Sequence, residues 1–179
     1  GKYGRMGIAQ NIERIQSELG EKVTLIAVSK YSPDDAVQKA YDAGHRDFGE
    51  NKAQDLQARK DRFPDDVRWH FIGHLQRNKV KYIAPFIHLI HAVDSLRLLQ
   101  EINKQAKRFN RTIPVLLQMH IAKEESKFGM SRSEVMELLS SEELGQLENL
   151  KVEGLMGMAT NTSDETQIRS EFDSLQSVF

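Results

Sequence analysis

The chain has 179 residues, and its 25 Lys and Arg against 26 Asp and Glu leave a net charge of −1, which argues against a nucleic-acid or anionic-membrane surface as the main partner. Its length suits one domain with a sizeable core, and 39% apolar with 28% charged residues is ordinary for a globular protein. There is no cysteine, so disulfides, thiolate nucleophiles and cysteine-ligated zinc are excluded.

No stretch approaches the roughly 20 apolar residues of a membrane span, and no signal-peptide pattern opens the chain. A cytoplasmic protein is expected. Ile8, Ile12, Ile15 and Leu19 recur at helical spacing, predicting an amphipathic helix closed by Gly20. Val23 to Val28 is a short, mostly apolar run of the kind buried on both faces of a parallel sheet. Ser32 then offers an N-cap, Pro33 a first helical position, and Asp34 and Asp35 an acidic first turn, so a helix to about Ala43 follows.

The alternation continues. Strands are expected at Asp47 to Glu50, Arg68 to Gly73, His88 to Val93, Pro114 to Ile121 and Leu150 to Ala159. Helices are expected at Lys52 to Arg62, Asn78 to Ala84, Ser95 to Phe109, Arg132 to Leu139 and Glu165 to Phe179. Six strand–helix units in strict alternation imply parallel strands with right-handed crossovers. An open doubly wound sheet and a closed barrel both remain possible at this point. The first strand is not followed by a Gly-x-Gly-x-x-Gly turn, which weakens dinucleotide binding. An eight-unit barrel takes about 250 residues and rarely fewer than about 200, so six units leave it two short.

Lys30 ends the first strand. In barrels the C-terminal strand ends face the active site, and desolvation there favours the neutral amine that attacks an aldehyde. Position alone favours the ordinary reading, a solvated lysine in a strand-to-helix loop. In Asp47-Phe48-Gly49-Glu50-Asn51, the glycine lets backbone approach a ligand, and Asn51 either binds a ligand or caps the next helix. His70 and His74 share a strand face but stand roughly 13 Å apart by strand rise, and His88 and His91 point to opposite faces if both lie in the strand. No metal site is expected from such spacings. Met156 and Met158 share a strand face, where methionine is ordinary core filler or a cofactor wall. No Ser-His-Asp set or P-loop appears.

Taken in order, several motifs point further. They are Ala27-Val28-Ser29-Lys30, Asp47-Phe48-Gly49-Glu50-Asn51, Trp69-His70-Phe71-Ile72-Gly73, Leu75-Gln76-x-Asn78-Lys79, Lys127-x-Gly129 and Gly154-Leu155-Met156. The series, from about residue 8 onward, resembles the pyridoxal phosphate homeostasis protein family, itself similar to the N-terminal barrel of alanine racemase. The resemblance implies a TIM-type (β/α) barrel of the fold-type III class that holds pyridoxal 5′-phosphate (PLP). Lys30 matches the lysine that forms the Schiff base, and Asn51 matches a residue near the cofactor. His70, Met156 and Met158 fall on barrel-lining strands as further cofactor-binding residues. Family members carry two further strands that help hold the phosphate and the pyridine nitrogen, so a single domain over 1–179 with six of eight units is expected to bind PLP weakly.

The function so implied is a carrier or buffer of PLP in intracellular PLP and amino-acid homeostasis rather than a turnover enzyme. PLP-dependent apoenzymes are the expected recipients, with no nucleic-acid or membrane partner, and the protein is expected to be a monomer. Two other readings stand beside it. An amino-acid racemase needs acid–base groups on both faces of the substrate, and Tyr3, Tyr31, Tyr41 and Tyr82 do not stand out for the second role. An inert fragment or interaction module would form no adduct and would expose open sheet edges.

Overall fold

The computed structural model describes residues 26–29, 33–120 and 129–157. The helix expected near the N-terminus, the helix expected after residue 165, Lys30, Ser32, Lys127 and Met158 lie outside the described residues.

Six strands form one sheet in the order β1-β2-β3-β4-β5-β6. They are β1 (Ala27–Val28), β2 (Asp47–Glu50), β3 (Arg68–Phe71), β4 (Leu89–Val93), β5 (Ile113–Met119) and β6 (Leu150–Gly157). Every neighbouring pair is parallel. Each strand lies beside its predecessor, so the chain winds in one direction without the reversal that defines a doubly wound sheet. This order decides for the barrel type of winding over the open alternative.

Helices connect the strands: α1 (Asp34–Asp42), α2 (Ala53–Lys60), α3 (Val80–Ile83), α4 (Leu96–Arg108), α5 (Arg132–Leu139) and α6 (Glu142–Gly145). Pro33 takes the cap position of α1 with extended backbone and no side-chain cap bond, one residue earlier in role than the sequence pattern predicts. Its ring fixes φ and leaves its carbonyl to accept from Ala36 and Val37. Ser95 caps α4 by accepting from the Leu98 amide. Ser131 and Glu134 form a reciprocal capping box on α5. The segment after β3 opens as a 3-10 turn over Arg77–Lys79 before α3, and α6 is an element the apolar pattern does not announce.

The core lies between sheet and helices. Phe48, Leu56, Phe71, Ile83, Ile90, Leu99, Ile102, Ile113 and Leu117 are almost wholly buried there. Phe48 packs on Trp69 at 5.9 Å and Trp69 on Phe63 at 6.0 Å, which ties β2 and β3 to the end of α2. Among the described residues, no helix is long and apolar enough to cross a membrane.

Candidate functional site

Strand alternation divides each strand between the helix-covered face and an inner face. On β2, Phe48 and Glu50 belong to the helix side and Asp47 and Gly49 to the inner side. On β3, Arg68 and His70 pair in register with Asp47 and Gly49, so all four line the inner face.

Two layers follow. The lower layer, at the N-terminal half of the strands, is polar. Asp47 accepts from Arg68 through both carboxylate oxygens, at 2.9 and 2.7 Å, and its Oδ1 lies 2.9 Å from His70 Nε2. His70 Nδ1 lies 2.9 Å from His91 Nε2. The His70 ring packs edge-on against both His88 and His91, with centroids 5.2 and 5.1 Å away. A carboxylate only accepts, so His70 carries a proton on Nε2 and donates it to Asp47. The hydrogen bonds to His70 and Arg68 outweigh burial and hold the Asp47 carboxyl far below its usual range. Burial, then the charge of His70 and His88, pushes His91 down to about 4, and burial lowers His88. At neutral pH His88 and His91 are therefore uncharged bases.

The upper layer lies toward the C-terminal strand ends. Val28, paired with Gly49, is 52% exposed, an apolar side chain left open on this face. A side chain at Gly49 would meet Ile26 and Ile72 methyl carbons at 3.0 Å, so only glycine lets these two isoleucines close over β2. At Gly73 a Cβ would stand 2.6 Å from the Asn51 Cβ. The chain after β3 therefore presses directly on Asn51. Behind this layer, Glu50 is buried and accepts from Ser29 Oγ at 2.7 Å and from Arg59 at 3.0 Å. Arg59 also donates to the Ser29 carbonyl at 2.7 Å. This network fixes the chain at Ser29, one residue before Lys30.

Of the residues singled out from sequence, Lys30 and Met158 lie outside the described residues. Asn51 does not cap α2: the cap position falls on Lys52, which makes no side-chain cap bond. Instead Asn51 lines a cleft of about 330 Å³ with Phe71, His74, Leu75, Gln76 and Lys79. His70 pairs with Gly49 on the inner face, and Met156, in register with Gln118 on β5, stands across the sheet. The expectation that His88 and His91 point apart is corrected. Strand β4 begins at Leu89, so alternation does not bind His88, and both rings reach His70. Spacing also missed Asp47, His88 and His91 as a cluster, because parallel pairing joins residues far apart in the sequence that no short motif links.

The comparisons with known proteins extend this picture. The family model described as "Alanine racemase, N-terminal domain" matches residues 6–179. A pyridoxal phosphate homeostasis protein of Vibrio alginolyticus is 36% identical over 94% of this chain and 78% of its own length. The chain belongs to the pyridoxal phosphate homeostasis protein family. The structure of PipY, the COG0325 family member of Synechococcus elongatus PCC7942, with PLP bound, superposes with a TM-score of 0.85 at 31% identity, over 96% of this chain and 79% of PipY. An alanine racemase of Clostridium difficile 630 shares the fold alone, at 16% identity and a TM-score of 0.75 over 96% of this chain and 48% of its own.

Proposed function

We propose that this family member binds PLP at the C-terminal end of its sheet and carries or buffers it in the cytoplasm, as a monomer, for PLP-dependent apoenzymes in PLP and amino-acid homeostasis. The observation that carries the reading is the PLP-bound PipY structure, whose fold and sequence match across nearly the whole chain. The names of the curated relatives support the homeostasis role.

PLP supplies an aldehyde that condenses with a primary amine, and a flat ring that needs an apolar support. The inner face fits that need. Val28 is exposed there, and Ile26 and Ile72 close over Gly49 beside it as further apolar surface. Lys30 follows Ser29 in the chain and is the lysine that the family resemblance matches to the Schiff base. We assign it the Schiff base. The Glu50–Arg59–Ser29 network holds the chain at Ser29, the residue before it. Asn51, pressed by Gly73, is assigned a polar contact to the cofactor. Met156, in register with Gln118 on β5, is assigned an apolar wall of the site, and Met158 is assigned with it on the family resemblance alone. His70 stands beside Gly49 with both ring nitrogens engaged, so its role is to support the floor rather than to donate to the cofactor.

The test is a PLP titration followed by visible absorbance, borohydride reduction and peptide mass spectrometry. A reduced adduct on Lys30, lost in Lys30→Ala, is expected. No adduct, or one spread over surface lysines, overturns the assignment.

A further inference from the structure

We propose that the lower layer of the inner face is a binding site for a borderline divalent cation such as Zn²⁺ or Co²⁺, held by Asp47 Oδ1, His70 Nε2 and a ring nitrogen of His88. These donor atoms all lie within 4.8 Å of one another. A tetrahedral ion with bonds of about 2.0–2.2 Å needs its donors roughly 3.3 Å apart. Asp47 and His70 already stand at 2.9 Å and have to part by only a few tenths of an ångström. His88 supplies the remaining closure. It precedes β4 and is exposed, so its ring turns without disturbing the core.

The donor set is one carboxylate and two imidazoles, which suits Zn²⁺ and its neighbours better than Ca²⁺ or Mg²⁺. The surroundings supply what such ligands require. A metal-bound histidine donates its other ring N–H to an acceptor, and His91 Nε2 stands 2.9 Å from His70 Nδ1 for that purpose. Proton movement balances. When the ion takes the Nε2 lone pair of His70, the proton on that atom leaves to solvent. His70 Nδ1 takes the proton between it and His91, and His91 regains one on Nδ1. Each ring stays neutral, and the hydrogen bond between them reverses direction.

Arg68 opposes the ion. Its guanidinium grips both Asp47 oxygens, fixing the carboxylate but lending it positive charge. The Glu153 carboxylate acts on His88 from β6 in the opposite sense. Three protein donors leave the fourth position to water. The expected result is a micromolar rather than a nanomolar site, separate from the layer assigned to PLP and independent of that assignment.

The experiment uses the untagged chain, stripped with chelator and free of PLP, titrated with Co²⁺ while the visible d–d bands are recorded, and with Zn²⁺ in competition. One equivalent of Co²⁺ with low-coordinate absorption, displaced by Zn²⁺, is expected. His88→Ala should weaken binding at least about tenfold while leaving the fold intact, because the side chain is exposed. His91→Phe should weaken it less while changing the band positions, the mark of a residue that orients a ligand. Binding unchanged in His88→Ala overturns the site, since it would report other histidines such as the exposed His74. Absence of any Co²⁺ spectrum up to millimolar metal in the folded wild-type chain overturns it as well.

Discussion

Asp47 Oδ1 and His70 Nε2 stand 2.9 Å apart across β2 and β3, and this pair organises the lower layer of the inner face. The carboxylate draws in Arg68 from one side and, through His70, His91 from the other. Three consecutive strands are thereby joined by side chains as well as by backbone.

The first prediction is acid lability of the metal-free protein. His91 is held at about 4 against an ordinary 6.5, so between these values the unfolded chain binds the proton more readily. Its contribution is complete above about pH 6.5 and is lost as pH falls toward 4. Asp47, whose folded value is depressed from 3.8, adds stability that is present above pH 4 and fails below it. The groups facing His91 are His70 and His88, with Arg68 and Asp47 behind them. Urea unfolding in chelator, followed from pH 7.5 to 4, should lose on the order of 2–3 kcal/mol from His91 alone. In His91→Gln the slope over that window should flatten; an unchanged slope refutes the assignment.

A second prediction concerns Gly73. A methyl group there would sit 2.6 Å from the Asn51 Cβ and 3.0 Å from Asn51 backbone atoms. Backbone cannot give way as a flexible side chain can, so the two strand ends must separate. Gly73→Ala should cost about 1–3 kcal/mol in denaturant unfolding and weaken PLP binding through displacement of Asn51. If stability falls while the PLP affinity is unmoved, Asn51 is not a cofactor contact.

Most of the fold was legible from sequence, because apolar periodicity and turn chemistry are local. Strand β2 and helix α5 fall on the predicted residues, and Ser95 caps as its type suggests. The choice between barrel and open sheet was not legible locally, since both require the same alternation and differ only in the order of strand pairing. The site was legible unevenly. Lys30 and Asn51 belong to motifs, whereas the Asp47–His70–His88–His91 cluster depends on the register of parallel strands and on where β4 begins. Glu50 shows the same limit: no local motif announces that its side chain faces α2 and pairs with Arg59.

That pairing carries the last prediction. Glu50 is 4% exposed, and Arg59 reaches it while also bonding the Ser29 carbonyl. Removing the guanidinium leaves a buried carboxylate facing only the Ser29 hydroxyl, a loss of about 3–5 kcal/mol where a buried pair is broken from one side. Arg59→Met should therefore destabilise strongly. The double variant Arg59→Met with Glu50→Gln should recover much of that loss, because no unpaired charge remains. The end of β1 would still lack its clamp on the Ser29 carbonyl. On the proposed attachment of PLP to the lysine that follows Ser29, the double variant should release PLP faster than wild type in a stopped-flow transfer to an apoenzyme, even at restored stability. Equal release rates would mean that the network serves folding alone and takes no part in presenting Lys30.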